Sequence, residues 1–544
     1  MTNYQFTGGT ICAPATIPGT GAISIIRVSG KEALAIADKV IDTKGVPIAE
    51  TEGYRLRYGT VFEADGSVLD NVIVSVFRAP HSYTGENSVE ISCHASRFIV
   101  NKILELLVNV GARIAAPGEF TRRAFVNGKM DLAQAEAVAD VIASQSAASH
   151  RVAMNQLKGG FSSELKTLRE KLLTMTSLLE LELDFSEEDV EFASRKELGQ
   201  LVDDSLTHIG RLTASFSRGN AIKNGVPVAI VGATNTGKST LLNALLGEER
   251  AIVSDIAGTT RDTIEETLNI DGILFRFIDT AGIRETDETI EKIGIDRTFK
   301  KLGEAAVVLG MTDLSRGEAA VLEDADFILS KVNEMGGVKN VAAGSDGAET
   351  GGTSPAETGG NSLVETGGVS QHGHGDGQER KVVILVNKCD IAGDFYRDDN
   401  GTGYGSGNDL GENMAEISGN KNVNQDNNIV SLIENKYDNC KVIPISAKTG
   451  KGLSTLTKTL GEIGSEITGS TDETLVTNVR HYEALVRAAS ALERVRAGLH
   501  IVTLPPDLIA QDLREALYHL GEIVGEITTD ETLGNIFRHF CIGK

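Results

Sequence analysis

Residues 226–239 read VPVAIVGATNTGKS, and this stretch indicates the fold of the central part of the chain. Its first seven residues are an apolar run typical of a buried strand, and STLLNALLG, which follows, is typical of a helix. Between them, residues 232–239 fit the pattern G-x-x-x-x-G-K-[ST], whose glycines let backbone N–H groups turn toward phosphates. We therefore predict that Lys238 binds the β- and γ-phosphates of a nucleotide and that Ser239 binds Mg²⁺.

Three further motifs, in chain order, complete a guanine-nucleotide site. DTAG at 279–282 follows a predicted strand, so Asp279 can hold Mg²⁺ through water and the Gly282 N–H can meet the γ-phosphate. NKCD at 387–390 also ends a strand, and its carboxylate can accept two hydrogen bonds from guanine that adenine does not offer. SAK at 446–448 follows the next strand and is expected to close over the base.

The joint order of these motifs resembles that of translation-factor-like GTPases. In GTTRD at 258–262, Thr260 is the expected switch threonine on Mg²⁺. Ile283 follows DTAG, where Ras-like enzymes carry a glutamine that orients the attacking water. Hydrolysis therefore needs another residue, a partner or an ion, and a switch with very slow hydrolysis is the alternative. The predicted GTP contacts are Asn235, Thr236, Gly237, Lys238, Ser239, Thr240, Ser254, Asp255, Ile256, Ala257, Gly258, Thr259, Thr260, Asp279, Thr280, Ala281, Gly282, Asn387, Lys388, Asp390, Ser446, Ala447 and Lys448.

The composition changes along the chain, and these changes predict its domains. Residues 1–125 alternate short β-rich runs with Gly/Pro turns, which predicts an α+β domain. Residues 126–219 and 466–544 are helical in pattern, and a stripe that begins at Leu165, with three- and four-residue spacing, marks an amphipathic helix. Residues 220–465 alternate strands and helices, which is typical of parallel α/β domains. We expect one helical bundle that is split by the inserted α/β domain.

Two low-complexity segments interrupt the α/β part. Residues 336–377 contain 13 glycines and carry AETGG, AETGG and VETGG at intervals of eight residues. Residues 393–428 are rich in Gly, Asn and Asp. Neither segment can bury enough apolar surface to offset the entropy of ordering, so both are predicted to be disordered surface loops. Because the entropy of loop closure rises slowly with length, we expect the fold to tolerate them.

Charge and composition disfavour a broad nucleic-acid-binding surface, a membrane-spanning helix and a leader segment. The chain of 544 residues has a formal net charge of −24, although its first 130 residues carry 13 Lys and Arg against 12 Asp and Glu. So acidic a surface repels nucleic acid, and any such contact must be local or made by a partner. No run approaches the roughly 18 apolar residues of a spanning helix, and the start lacks a leader pattern. With five scattered cysteines, we expect a cytoplasmic protein that binds no membrane.

Motifs outside the nucleotide site resemble those of the tRNA modification GTPases called MnmE (TrmE). They are ATIPGTGAISIIRVSG near the start, PHSYTGENSVEISCH, APGEFTRRAFVNGKMDLAQAEAVADVI and the terminal FCIGK. The resemblance covers the chain except for the two low-complexity segments. It implies an N-terminal α+β folate-binding and dimerisation domain, then a split helical domain with an inserted Ras-like P-loop GTPase domain. Thr234 departs from the family pattern, which usually has Pro before the Asn of the phosphate loop.

The resemblance implies a K⁺-stimulated GTPase in which the GTPase domains of two subunits meet across their nucleotide faces. A monovalent cation there offsets the charge that develops in the transition state. The implied catalytic residues are Glu291, Lys238 and Cys541. Glu291 would orient the water through a second water, although ETDETIEK by itself is typical of a solvated acidic helix. Arg261 and Arg284 are implied to stabilise the closed dimer. The implied K⁺ ligands are Asn235, Thr259 and the backbone carbonyls of Ser254 and Ile256.

The resemblance also implies a site for 5-formyl- or 5,10-methylene-tetrahydrofolate. A carboxylate in it would bind the pterin donors, and cations would bind the glutamate tail. Cys541 resembles the functional cysteine of the family, and a buried structural thiol is the alternative. The implied folate-binding residues are Arg27, Glu90, Lys129 and Lys544.

The family further implies a partner protein, MnmG (GidA), which brings FAD and NADH. The two proteins would form a heterotetramer around a homodimer of this chain, and the partner would hold most of the tRNA. Together they would add an aminomethyl or carboxymethylaminomethyl group to C5 of the wobble uridine, position 34 of certain tRNAs.

Two alternatives share the nucleotide motifs. The first is a ribosome-assembly GTPase of the Era or Der kind, but such proteins normally carry a basic RNA-binding domain after the GTPase domain. Here a helical, non-basic tract follows, which disfavours that function. The second is a nucleotide-binding relic without turnover, and the intact Lys238, Ser239, Thr260 and Asp279 weigh against it.

Overall fold

The computed structural model describes most of the chain. The described residues are 8–184, 195–249, 266–278, 305–334, 380–390, 429–437, 440–469, 473–501, 505–538, 540 and 543. The chain divides into two compact units: the first contains residues 1–144, 149–223 and 470–544, and the second contains residues 145–148 and 224–469. The two predicted disordered segments, 336–377 and 393–428, lie outside the described residues.

A seven-stranded sheet forms the N-terminal part of the first unit. Its strands are β1 (Ile11–Pro14), β2 (Ile23–Ser29), β3 (Ile41–Asp42), β4 (Arg55–Phe62), β5 (Val68–Phe77), β6 (Ser88–His94) and β7 (Arg113–Ile114). The order is β3-β4-β5-β6-β2-β1-β7. Neighbouring strands run antiparallel, whereas β1 and β7 are parallel.

Helices cover one face of this sheet. They are α1 (Ala33–Val40) and α2 (Arg97–Asn109), with a short 3-10 helix at Ile48–Glu50. Alternate residues of β5, such as Val74, pack in one core with Ile36 of α1 and Ile103 of α2. Because side chains alternate along a strand, the same pattern turns Arg27 of β2 and its cross-strand partner Glu90 of β6 to the opposite face. The sheet thus presents a charged pair on the face away from the helices.

In the first half of the helical part, the described residues form six helices. They are α3 (Glu119–Val126), α4 (Leu132–Ala143), α5 (Ala147–Leu157), α6 (Gly160–Asp184), α7 (Arg195–Ala214) and α8 (Phe216–Asn224). Asp131 and Gln134 form a reciprocal capping box that begins α4. The amphipathic stripe predicted from Leu165 onward is confirmed, because Leu165, Leu172 and Leu179 of α6 are fully buried.

The second unit is a parallel α/β layer, which confirms the fold class expected from the sequence. Its sheet has the order β13-β12-β11-β8-β10-β9, in which the β9–β10 pair is antiparallel. The strands are β8 (Val226–Gly232), β9 (Glu266–Ile270), β10 (Ile273–Ile278), β11 (Val307–Asp313), β12 (Lys381–Asn387) and β13 (Cys440–Pro444). The helices are α9 (Lys238–Glu249), α10 (Glu318–Glu334), α11 (Ile429–Lys436) and α12 (Leu453–Thr468), with a 3-10 helix at Leu314–Arg316.

The remaining helices complete the bundle of the first unit. They are α13 (Val479–Leu499), α14 (Pro506–Val524) and α15 (Asp530–Phe537). One cluster contains fully buried side chains from four helices: Leu172 of α6, Val202 of α7, Leu492 of α13 and Leu520 of α14. Helices from both ends of the sequence therefore share a core, as expected for a split bundle. Among the described helices, none has the length and apolar content that crossing a membrane would require.

The segment by which the chain leaves the first unit is bonded to the segment by which it returns. The Ser215 hydroxyl accepts a hydrogen bond from the Val476 N–H at 3.1 Å, and Arg218 pairs with Glu473 at 2.7 Å. The Gln156 amide donates to the Leu475 carbonyl at 3.1 Å. These contacts fasten the outgoing and returning segments to the same bundle.

A buried carboxylate is paired with two cationic or proton-bearing side chains in this bundle. Glu136 of α4 accepts hydrogen bonds from Arg480 Nε at 2.9 Å and Arg480 Nη2 at 3.1 Å, and its other contact is His481 Nε2 at 2.7 Å. Burial alone would raise the pKa of the Glu136 carboxyl, but His481 and Arg480 lower it to about 2. Burial lowers the pKa of His481. The His481 Nε2 atom also lies 3.0 Å from Arg480 Nη2, so the three side chains form one buried cluster.

Replacing this carboxylate is expected to destabilise the first unit. Glu136→Gln leaves the Arg480 charge without its partner, so we expect a loss of about 3 kcal/mol in the free energy of unfolding at pH 7. The folded-state pKa lies below the ordinary value of 4.5, so this contribution is complete above that pH and is lost as the pH falls toward about 2. Calorimetric unfolding of both proteins across this pH range measures the difference.

The matched control for this experiment is Glu493→Gln, on the exposed side of α13. It removes the same charge and should leave the unfolding temperature unchanged. A Glu136→Gln protein as stable as the control at pH 7 would contradict the role given to this carboxylate.

Candidate nucleotide site

The phosphate-loop motif lies between β8 and α9, as its sequence predicts. Asn235 has a φ of 62° and Gly237 a φ of 99°, so the loop passes through left-handed conformations at two positions. A Cβ atom on Gly237 would lie 2.4 Å from Asn387 Nδ2, which leaves room for glycine alone. Thr236 is buried and its hydroxyl donates to the Ala233 carbonyl at 2.9 Å. The loop therefore depends on two left-handed backbone positions, on the Thr236 hydroxyl and on the close approach of Asn387.

Lys238 lies at the first turn of α9 and folds back over the loop. Its ammonium donates to the carbonyls of Gly232 at 2.8 Å and Ala233 at 2.7 Å. Burial lowers the pKa of this ammonium. Ser239 and Thr240 follow in the same turn, with Ser239 half-buried and Thr240 exposed. The helix N-terminus adds positive partial charge at this position, which suits a phosphate.

Asn387 connects the two halves of the predicted site. Its side chain is buried, and Nδ2 donates to the Thr236 carbonyl in the phosphate loop at 2.6 Å. Its Oδ1 accepts a hydrogen bond from the Ala447 N–H at 3.0 Å. Ser446 and Ala447 are buried and Lys448 is exposed. The structure thus brings the predicted phosphate and base motifs to one edge of the sheet.

Lys388 and Asp390 follow Asn387 at the end of β12. Lys388 has a φ of 64°, and its ammonium donates to Asp313 at 2.6 Å. Asp390 is half-buried. The sequence reasoning missed Asp313, although an acidic residue at the end of the buried run VVLGMTD was a visible signal.

The other predicted nucleotide and metal residues lie outside the described residues. Within the described ranges, no three His, Cys, Asp or Glu side chains come together as a metal-binding group. The predicted residues not described are Ser254, Asp255, Ile256, Ala257, Gly258, Thr259, Thr260, Asp279, Thr280, Ala281, Gly282 and Glu291, with Arg261, Ile283 and Arg284.

Two of the four predicted folate residues form a pair in the first unit. Arg27 and Glu90 are in contact at 2.9 Å, and the Arg27 guanidinium lies 5.1 Å from the centre of the Tyr83 ring and 5.6 Å from that of Phe120. Lys129 is exposed, and its ammonium donates to the Pro80 carbonyl at 3.1 Å. The structure does not join Lys129 to the Arg27–Glu90 pair through any described bond.

The C-terminal end of the chain reaches this pair. Arg27 Nη1 donates to the Gly543 carbonyl at 3.5 Å. Gly543 has a φ of 100°, and a Cβ atom on it would lie 2.0 Å from the Pro14 carbonyl oxygen, so only glycine fits. Lys544 and Cys541, which were predicted beside it, lie outside the described residues.

The parallel sheet, the glycine-bearing loop and the helix that begins at Lys238 define a P-loop nucleotide-binding protein of the GTPase class. Comparison with known proteins is more specific. The family model described as GTP-binding protein TrmE N-terminus matches residues 10–129, and that described as MnmE helical domain matches residues 132–541. The chain belongs to the MnmE family.

Relatives of full length support this assignment. A protein of Bacteroides fragilis is 46% identical over 537 residues, which cover 98% of this chain and 99% of the relative. One of Parabacteroides distasonis is 45% identical, covering 98% and 100%. One of Flavobacterium johnsoniae is 44% identical, covering 98% and 99%. Each of these three is named tRNA modification GTPase MnmE.

Gly237→Ala is expected to weaken nucleotide binding. The new Cβ would displace the Asn387 amide and force alanine into a left-handed conformation, which costs about 1–3 kcal/mol. Since each 1.4 kcal/mol is tenfold, we expect GDP affinity to fall about tenfold or more in a titration with a fluorescent GDP analogue. Gly247→Ala is the matched control, because no atom lies within 4 Å of its Cβ position in α9. Equal affinities of the two variants would contradict this account of the loop.

Proposed function

We propose that this chain is a GTP hydrolase that acts in tRNA modification, as its relatives are named to do. One observation supports the nucleotide part most directly: the Asn387 side chain bonds to both Thr236 and Ala447. One amide spans only a few ångströms, so the loop for phosphates and the loop for a base border the same cleft. Family membership supports the tRNA part.

The phosphates of GTP would bind at the N-terminus of α9. Backbone N–H groups of the loop would donate to phosphate oxygens, and the Lys238 ammonium would exchange its two carbonyl partners for them. Ser239 and Thr260 would hold Mg²⁺, with Asp279 acting through water. When bound, Mg²⁺ neutralises charge on the β- and γ-phosphates. Hydroxyl and carboxylate oxygens suit this hard cation, so the residue types fit it.

The guanine base would bind between the NKCD and SAK loops. The Asp390 carboxylate would accept hydrogen bonds from the N1–H and 2-amino groups of guanine. Adenine lacks this pair of donors and would leave a charge without a partner, which selects against ATP. The Ser446–Lys448 loop would close over the other side of the base.

Hydrolysis would depend on groups other than the usual glutamine, because Ile283 cannot hydrogen-bond to water. We propose that Glu291 orients the attacking water through a second water. Asn235, Thr259 and the carbonyls of Ser254 and Ile256 would hold K⁺, and this all-oxygen set fits a hard cation. Bound K⁺ supplies positive charge near the phosphates, which favours the transition state. The GTPase domains of two subunits would meet across this face.

The Arg27–Glu90 pair is the proposed tetrahydrofolate site. Glu90 would accept hydrogen bonds from pterin donors, and the half-buried Tyr83 ring beside Arg27 would supply apolar surface for a flat ring. The cations Lys129 and Lys544 would bind the glutamate tail. The folate, when bound, supplies the one-carbon unit. The residues present therefore fit this cofactor, and Cys541 is proposed to act beside it.

The proposed product is tRNA with an aminomethyl or carboxymethylaminomethyl group at C5 of the wobble uridine. A homodimer of this chain would assemble with MnmG (GidA) into a heterotetramer in the cytoplasm. MnmG would bring FAD and NADH for the redox step. The net charge of −24 is unfavourable for binding a polyanion, so most contacts with tRNA are assigned to the partner.

GTP turnover is expected to be strongly faster in KCl than in NaCl at the same ionic strength. Glu291→Ala should lower the rate in KCl by about 100-fold, because a positioned acid–base group contributes a factor of that order, while GDP affinity persists. The control Glu323→Ala removes an exposed carboxylate of α10 and should keep the wild-type rate. Equal wild-type rates in the two salts would reject the potassium mechanism.

Mass analysis of tRNA nucleosides tests the modification role. A strain without this gene should lose the C5 group on the wobble uridine. Expression of the wild-type chain should restore it, whereas a Lys238→Ala variant should not, because it lacks the proposed phosphate contact. Normal wobble uridines together with immature ribosomal subunits in the deletion strain would instead indicate the ribosome-assembly alternative.

A further inference from the structure

Asp313 is the last residue of β11, and it lies beside the last residue of β12. The register of these parallel strands pairs Asp313 with Asn387. Its carboxylate, 8% exposed, accepts hydrogen bonds from Lys388 Nζ at 2.6 Å, Ser315 Oγ at 2.6 Å and the Ser315 N–H at 3.0 Å. The nucleotide and base motifs do not include this residue.

Lys388 needs an external tether, because its backbone is in a left-handed conformation. Its φ is 64°, and residues other than glycine keep such a conformation only where their surroundings fix it. The neighbours on both sides are fixed: Asn387 bonds to Thr236 and Ala447, and the Cys389 N–H donates to the Ile445 carbonyl at 3.2 Å. Among the described residues, the Lys388 ammonium is bonded to the Asp313 carboxylate.

The electrostatics favour a permanent ion pair at this position. Burial would raise the pKa of the Asp313 carboxyl, but its bonds to Lys388 and Ser315 lower it below the ordinary value. The carboxylate is therefore charged at neutral pH, and its bond to the ammonium is charge-assisted on both sides.

We propose that Asp313 is a positioning residue for guanine recognition. By binding Lys388, it holds residues 387–390 in the conformation from which Asp390 meets the base. This proposal rests on the proposed guanine-nucleotide function. Asp313 does not touch the nucleotide; it acts through Lys388.

A double-mutant cycle tests whether the two residues act as one. The full-length variants are Asp313→Asn, Lys388→Met and their combination; methionine keeps most of the alkyl stem of lysine without its charge. We expect each single variant to bind a fluorescent GDP analogue about tenfold more weakly. The double variant should be no weaker than the weaker single one, since the pair can be lost only once.

Base discrimination separates positioning from general loss of structure. IDP lacks the 2-amino group of guanine, so wild type should bind GDP more tightly than IDP. In both single variants this ratio should fall at least threefold. A variant that is merely less stable would lose affinity for both nucleotides and keep the ratio.

Two controls leave the pair intact. Lys436→Met breaks an exposed ion pair with Asp326 in the same unit, and Ser315→Ala removes one hydroxyl partner of Asp313. Lys436→Met should keep wild-type GDP affinity and the wild-type GDP-to-IDP ratio. Ser315→Ala should keep the ratio. If Asp313→Asn does not fold, Asp313→Glu takes its place, because it keeps the negative charge but shifts it relative to Lys388; the same fall in the GDP-to-IDP ratio is expected.

The outcomes distinguish this proposal from the function on which it rests. Additive losses in the cycle, or an unchanged GDP-to-IDP ratio in the single variants, would overturn the positioning role and leave the guanine site standing. A wild-type protein that binds GDP no more tightly than ADP would overturn the proposed function, and the positioning role with it.

Discussion

The bond between Glu136 and the pair Arg480–His481 is the interaction on which the split architecture depends. Its carboxylate comes from the first half of the helical part and its partners from the second, 344 residues later in the sequence. A buried charge that is not paired is strongly destabilising, so Glu136 must lie where Arg480 and His481 can bind it. This contact therefore also fixes the position of α13 along α4. The apolar cluster of α6, α7, α13 and α14 joins the two halves, and this polar contact adds a charge-assisted bond between them.

The nucleotide site likewise combines local and long-range interactions. The phosphate loop is shaped locally, by the left-handed Asn235 and Gly237. The base-recognition loop is held by long-range hydrogen bonds, because the Asn387 side chain bonds to Thr236 earlier in the sequence and to Ala447 later in it. Parallel strands make this possible, since their carboxyl ends meet at one edge of the sheet.

Local signals allowed much of this to be predicted from sequence. The run VPVAIVG and the loop after it identify the P-loop layer, because a buried strand, glycines and a helix start are contiguous. The leucine stripe of α6 identifies an amphipathic helix for the same reason. The bonds of Asp313 and Glu136 could not be predicted in this way, because their partners are 75 and 344 residues away, although Asp313 at the end of the run VVLGMTD was itself a visible signal. Nor does any pattern indicate that residues 145–148 belong to the second unit.

Strand β12 carries one more consequence, for how this gene can change. Lys381–Asn387 is hydrogen-bonded to β11 along one edge and to β13 along the other. Its place is thus set by its flanking neighbours in the sheet and not by the length of chain that leads to it. The gain or loss of one eight-residue copy upstream would therefore leave every ladder partner of β12 the same. A change in the number of copies is thus compatible with NKCD at the same edge of the sheet as the phosphate loop.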